Sequence, residues 1–268
     1  MISKLHIQVA DSDGRTILKN CFSNPPYKIA DITEDKRQDR LHLMMMSSSP
    51  GVLDNDRYEI NIDVGADCTL QLHTQSYQRI FTMQQQATQK MQVMIGRNSM
   101  FCFVPHPVVP HRNANMVTET RINLSENSSL IWGEIISCGR KLNGEVFQFS
   151  KYHSKTSIYY SDKLIIKENL LLQPAVTDLS SMGQLQHYTH QATFIFIDQH
   201  VNIAEVKAGL LESVKEIDRA SIGISSTAGN GIIVRLLGQQ AEVLFTCLNM
   251  LAHNAGKFSS SKKKSHVI

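Results

Sequence analysis

Charge is scarce in this 268-residue chain: 19% of the residues are Asp, Glu, Lys or Arg, and the net charge is only +3. A nucleic-acid binder driven by phosphate contacts carries a basic excess with interleaved aromatics, so that class is excluded. At 42% hydrophobic residues, the composition equally excludes disorder over most of the length. Five cysteines, at 21, 68, 102, 138 and 247, form an odd, widely spaced set without a C-x-x-C pair. Neither a disulfide framework nor a zinc knuckle is built that way, and most of the five are expected to be buried thiols in a reducing compartment. No apolar run approaches the roughly 18 residues that span a bilayer, and the opening segment MISKLHIQVADSDGR lacks an apolar signal core. The expectation is a cytoplasmic protein without membrane contact. The nucleophile elbow, the P-loop, the dinucleotide fingerprint and H-E-x-x-H are all missing, which weighs against the common enzyme classes.

What is present is alternation. As far as about residue 203 the apolar spacing is mostly two, the period of strands with one buried face. Tyr58, Ile60, Ile62 and Val64 alternate with Glu59, Asn61 and Asp63; a turn at Val64–Asp67 follows, and the pattern restarts at Cys68, Leu70 and Leu72. Further strands are predicted at 91–95, 101–104, 117–124, 129–136, 146–150, 156–160, 164–166 and 193–197. Helical spacing occurs only late, at 205–219 (Val206, Leu210, Val214, Ile217) and at 239–252, with a buried strand at 232–237 between them. The pattern predicts a mainly β chain of extended sheets, sandwich-like or β-helix-like, with two α-helices near the C-terminus. No internal repeat is read, residues 1–253 form one domain, and 254–268 are a polar disordered tail. Asn143-Gly144 suits a type I′ hairpin turn, whose two-residue register sets Glu134 opposite His153 and Arg140 opposite Phe147.

Eleven histidines raise the question of metal. The pairs His106/His111 and His187/His190 lie on non-helical backbone without a Cys or carboxylate to complete a site, and with His153 they are the remaining ligand candidates. Consecutive residues of a strand face opposite ways, so Met44-Met45-Met46 reads as core filling and not as a soft-metal site. Glu134 stands between Trp132 and Ile135 in a strongly apolar strand, where a carboxylate faces solvent, a partner cation or a polar interior.

Several segments together resemble the UreD family of urease accessory proteins, called UreH in some systems. They are Asn24-Pro25-Pro26-Tyr27-Lys28, Ser49-Pro50-Gly51 through Asp54-Asn55-Asp56, Val64-Gly65-Ala66 with Thr74-Gln75-Ser76, and Pro105-His106-Pro107 through Ala114. The most specific block is Trp132-Gly133-Glu134 through Gly139-Arg140, followed by Gly144-Glu145-Val146-Phe147. The chain departs from the family pattern at Pro50, Asn55 and His111. The resemblance implies two extended β-sheets with two helices and a non-catalytic role. Family members bind the accessory proteins UreF and UreG, dock on apo-urease as a hetero-oligomer and help deliver nickel, with an internal tunnel as the suggested route.

A cation in transit needs oxygen or nitrogen ligands but no closed cage, so Asp56, Thr74, Ser76 and Glu134 are expected along the route. No cofactor is expected to be held tightly; Ni2+ is transient cargo. Pro25, Pro26, Gly51, Gly139, Arg140, Gly144 and Glu145 are read as structural motif positions, with Arg140 pairing a buried carboxylate such as Glu145. The late helices are candidates for the UreF surface. The competing readings are a β-sandwich hydrolase with a Ser76 or Cys138 nucleophile and a plain ligand-binding module.

Overall fold

The structure, a computed structural model, describes residues 2–263, with side chains as far as Ser259. In chain order the first strands are β1 (Ile2–Ser12), β2 (Arg15–Ser23), β3 (Tyr27–Asp31), β4 (Arg40–Ser47), β5 (Arg57–Val64), β6 (Thr69–Thr74), β7 (Gln78–Ile80) and β8 (Ala87–Ile95). Next come β9 (Met100–Phe103), β10 (Val108–Pro110), β11 (Asn115–Leu124), β12 (Ser129–Ser137), β13 (Lys151–Tyr160), β14 (Lys163–Leu172) and β15 (His190–Asp198). Helix α1 (Ile203–Val214), strands β16 (Ala220–Thr227) and β17 (Gly231–Gly238), and helix α2 (Ala241–Lys263) complete the described chain.

Two sheets face each other. The first has the order β14-β13-β11-β8-β5-β1-β2, and the second runs β16-β17-β15-β12-β9-β6-β4-β3, with the short β7 and β10 joined at its side. From β5 to β13 the chain alternates between the sheets, and the neighbours it leaves in each are parallel. This is a β-helix-like coil. Each coil takes about 30 residues, so that Thr69, Met100 and Ser129 stand side by side.

The coil corrects the expectation of no internal repeat. Its clearest sequence trace is the corner triplet Asp67, Asn98 and Asn127, all in the left-handed conformation that short polar side chains tolerate. Asn98 donates to Asp67 Oδ1 at 2.9 Å and Asn127 donates to Asn98 Oδ1 at 3.3 Å, forming a ladder across successive coils.

One core lies between the sheets, with Leu5, Ile7, Ile62, Leu70, Phe101 and Ile158 all fully buried. A second lies between the outer face of the second sheet and the helices, where Phe194 and Phe196 meet Val206, Leu210, Leu244 and Leu248. Strand β15 is therefore buried on both faces, and its run of apolar residues without alternation follows from that. Both helices have the predicted stripes. Asn202 caps α1, its Oδ1 accepting the Ala204 N–H at 3.1 Å, and the helix ends at Val214, earlier than the expected 219.

Helix α2 overturns the expected end of the fold at 253. It continues to Lys263 because Ala255 is fully buried in the helix-side core and the Ser259 hydroxyl donates to Asp198 Oδ2 at 2.6 Å. Residues 264–268 of the expected tail lie outside the described residues. Among the described residues, no helix is long and apolar enough to cross a membrane.

The hairpin at Asn143-Gly144 is also corrected. Lys141–Asn143 form one 3-10 turn, and the Glu145 and Phe147 N–H groups bond the Arg140 and Cys138 carbonyls. Residues 146–150 form no strand, and the chain crosses to the other sheet as β13. Glu134 consequently stands opposite Thr193 of β15, not His153.

Candidate functional site

Strands β5, β8, β11 and β13 send an inward row of Tyr58, Gln89, Thr118 and Ser154, in register across four parallel neighbours. The next row is Ile60, Met91, Thr120 and Thr156. Hydroxyls thus occupy core-facing positions where the alternation otherwise places apolar side chains. Thr118, Thr120, Ser154 and Thr156 are all buried. Facing them from the second sheet are Trp132 and Glu134 of β12.

Between these surfaces lies a cavity of about 170 Å³, lined by Tyr58, Gln89, Thr118, Ser154, Trp132 and Glu134 among others. That is room for several waters. Exposed Pro50, Gln75, Ser76 and Arg79 also line it, so it reaches from the surface into the space between the sheets.

Glu134 is the charged group at its inner wall. Trp132 Nε1–H donates to its Oε1 at 2.8 Å and the Thr156 hydroxyl donates to the same oxygen at 2.7 Å, while Ser154 reaches Oε2 at 3.3 Å. None of these partners is a cation. Burial, with the negative charge of Glu134 nearby, pushes the Tyr152 phenol up. The Tyr27 and Tyr58 phenols are raised as well, chiefly by burial. These three phenols, with Tyr77 the four that line the cavity, therefore keep their protons at neutral pH.

Three of the four residues expected along a route line this one cavity: Thr74, Ser76 and Glu134. Asp56 stands behind the wall. Its Oδ2 accepts the Leu53 N–H and the Tyr58 hydroxyl, so it closes the 53–56 turn and orients a cavity phenol. Thr74 Oγ1 accepts the His106 N–H at 2.8 Å and lies 3.0 Å from His106 Nδ1, at the mouth side of the cavity. Sequence reasoning missed Thr118, Thr120, Ser154 and Thr156. Their signal was available as polar residues on the inward parity of β11 and β13.

The histidine candidates disperse. His106 stacks on Phe245 of α2, and buried His111 packs edge-on to Phe81 at 4.7 Å, taking the place of an aromatic residue. His153 bonds Asn169 on the outer face of the first sheet, exposed His187 packs on Tyr188, and buried His190 bonds Thr189. Among the described residues, no three His, Cys, Asp or Glu side chains gather as a metal-ligand cluster. Met45 packs against the inter-sheet core, as read, and lines the cavity with Met46; all three methionines are half-buried, so the core-filling reading holds for Met45 and not for the whole run.

Of the motif residues, Gly51 lines the cavity and the others shape the turns around it. The Pro25–Pro26 bond is cis and leads into β3. At Gly51 a Cβ would meet the Arg79 carbonyl at 2.5 Å, so the rim closes only with glycine there. Arg140 Nε–H donates to Glu145 Oε2 at 2.9 Å and its Nη2 bonds Oε1, while the Arg112 N–H donates to Oε2 at 3.1 Å. Arg140 holds the Glu145 carboxyl at about 2. Of the two proposed nucleophiles, Ser76 is exposed at the cavity mouth, and Cys138 is buried with its thiol pushed up by desolvation.

A two-sheet β-coil protein with helices on one face and its polar chemistry gathered between the sheets is the class these features define. A family model described as UreD urease accessory protein matches residues 2–262. A urease accessory protein UreD of Flavobacterium johnsoniae is 43% identical over 253 residues, 94% of this chain and 91% of the relative. The UreD of Acetivibrio thermocellus is 31% identical over 93% of this chain and 95% of its own length. The UreH of Helicobacter pylori is 30% identical over 90% of each. The chain belongs to the UreD family of urease accessory proteins. Membership gives it a role in urease maturation, in association with urease and other accessory proteins, and points to a non-catalytic part in it.

Proposed function

We propose that this chain is the scaffold on which UreF and UreG dock to apo-urease, and that nickel crosses the inter-sheet cavity on its way to the urease active site. The reading places the chain in the cytoplasm, in a hetero-oligomer, with Ni2+ as transient cargo and no tightly held cofactor. The observation that supports it most is Glu134: a carboxylate inside the fold whose partners are hydroxyls and an indole N–H. An unpaired negative charge is costly to desolvate, and a passing cation is the partner such a site lacks.

The donor set suits transit. Hydroxyls, the amides of Gln75, Gln78 and Gln89, one carboxylate and the single imidazole of His106 replace part of a divalent ion's hydration, whereas a closed set of imidazoles or thiolates would retain it. The cavity's volume of about 170 Å³ lets the ion keep part of its water shell.

The test is removal and restoration of this gene in cells carrying the full urease set, reading urease-bound nickel and urea hydrolysis. Both should vanish without the gene and return with it. Active, nickel-loaded urease in its absence would refute the role.

A further inference from the structure

The polar surface does not stop at Glu134. On the inter-sheet face of the second sheet, Glu134, Thr193 and Arg235 stand in register on β12, β15 and β17, and the row ends at Gly223 of the edge strand β16. The neighbouring row is apolar: Trp132, Ile195 and Ile233. On the other side run Ile136, Gln191 and Leu237. A polar strip, widened at Gln191, therefore runs from Glu134 at the cavity wall to the flank of the molecule.

The first sheet matches it. Thr156, which donates to Glu134, stands opposite Glu168 of β14. Arg235 closes the circuit: its Nη1–H donates to Thr193 Oγ1 at 2.8 Å and its Nη2–H to Glu168 Oε2. Its side chain is 46% exposed and that of Glu168 21%, so this bridge is the point where the strip meets solvent. Beyond it, Gly223 presents open space where a side chain would stand.

We propose that Arg235 is a tethered cation closing a second mouth of the polar passage, and that a divalent cation arriving at Thr193 takes its place on Glu168. A guanidinium is charged at every physiological pH, and in this position it fills a cation site made by the Glu168 carboxylate and the Thr193 hydroxyl. Exchange of one cation for another on Glu168 leaves the carboxylate satisfied throughout. A bridge serving stability alone needs neither the buried Thr193 beside it nor a continuous polar row back to Glu134. The inference rests on the passage reading of the cavity, and its test separates the two.

The experiment places a cysteine at position 193 (T193C) in the full-length chain and reads its labelling by peptide mass spectrometry, with a cationic and an anionic methanethiosulfonate of equal size. Labelling of buried Cys68 in the same samples reports any general unfolding. Relative to T193C alone, adding R235A should speed cationic labelling at 193 by about tenfold, the effect of losing one charge-assisted pair, whereas E168Q, which removes the carboxylate and leaves the guanidinium beside position 193, should slow it. The anionic reagent should lag and Cys68 should stay unlabelled. An unchanged rate in both variants makes the bridge purely structural and overturns the proposal, as does equal acceleration by both reagents. If labelling responds as expected while E134L leaves urease nickel content unchanged, the passage reading falls and the flank opening stands. The reverse pattern removes the second mouth and keeps the passage.

Discussion

Trp132 and Glu134 sit two residues apart on the same face of β12, and the indole N–H donates to the Glu134 carboxylate at 2.8 Å. The chain's single tryptophan thus touches the one carboxylate of the inner cavity wall. Alternation in a strand forces this proximity, because residues i and i+2 share a face. Phe103 packs against the indole, 5.1 Å between ring centroids.

An optical prediction follows. A paramagnetic Ni2+ ion on Glu134 lies within contact of the indole and should quench its emission. Titration of the full-length chain with Ni2+ should quench the fluorescence saturably. E134Q should raise the concentration for half-quenching by about tenfold, the equivalent of one weakened charged ligand. Identical titrations for the two chains would place the ion elsewhere.

Stability should fall on mild acidification. Burial holds the imidazoles of His73 and His190 at about 4, below the roughly 6.5 of an exposed histidine. The unfolded chain therefore takes up protons that the folded chain refuses, and stability present above about 6.5 is lost progressively down to about 4. Glu145, held at about 2 by Arg140, adds a further loss as pH falls below the usual carboxylate range. Thermal unfolding midpoints between pH 7.5 and 4 check this, and H190Q should flatten the upper part of the slope.

Two glycines of one motif should respond differently to alanine. Gly139 has φ +122°, and a Cβ there would lie 2.7 Å from the Glu145 carbonyl oxygen and 2.9 Å from that of Pro110. G139A should cost about 3 kcal/mol and loosen the Arg140–Glu145 pair. Gly144, at φ +76° with open space around it, meets only the intrinsic penalty of the left-handed region. G144A should cost about 1 kcal/mol. Denaturant unfolding of the two variants measures the difference.

The strands were legible where one face is wet. Tyr58 to Val64 alternates in the sequence and forms β5 as expected, and the stripes of Val206, Leu210 and Val214 and of Leu244, Leu248 and Leu251 gave both helices. The misreadings have physical causes. Asn143-Gly144 carries hairpin chemistry, but the strands on either side are committed to different sheets, and the local turn cannot reveal that. Ser259 looks like tail composition, yet Asp198, distant in sequence, holds it in place. Glu134 stood out as a carboxylate among large apolar residues. The hydroxyls that complete its surroundings come from β13, and only the register of the coil shows which of them face inward.

The most direct measurement is urease-bound nickel in cells whose only copy of this gene carries E134L. The account predicts a folded chain that still co-purifies with UreF, beside urease containing markedly less nickel and proportionately less activity. Urease with its full complement of nickel, matured by the folded E134L chain, would contradict the account.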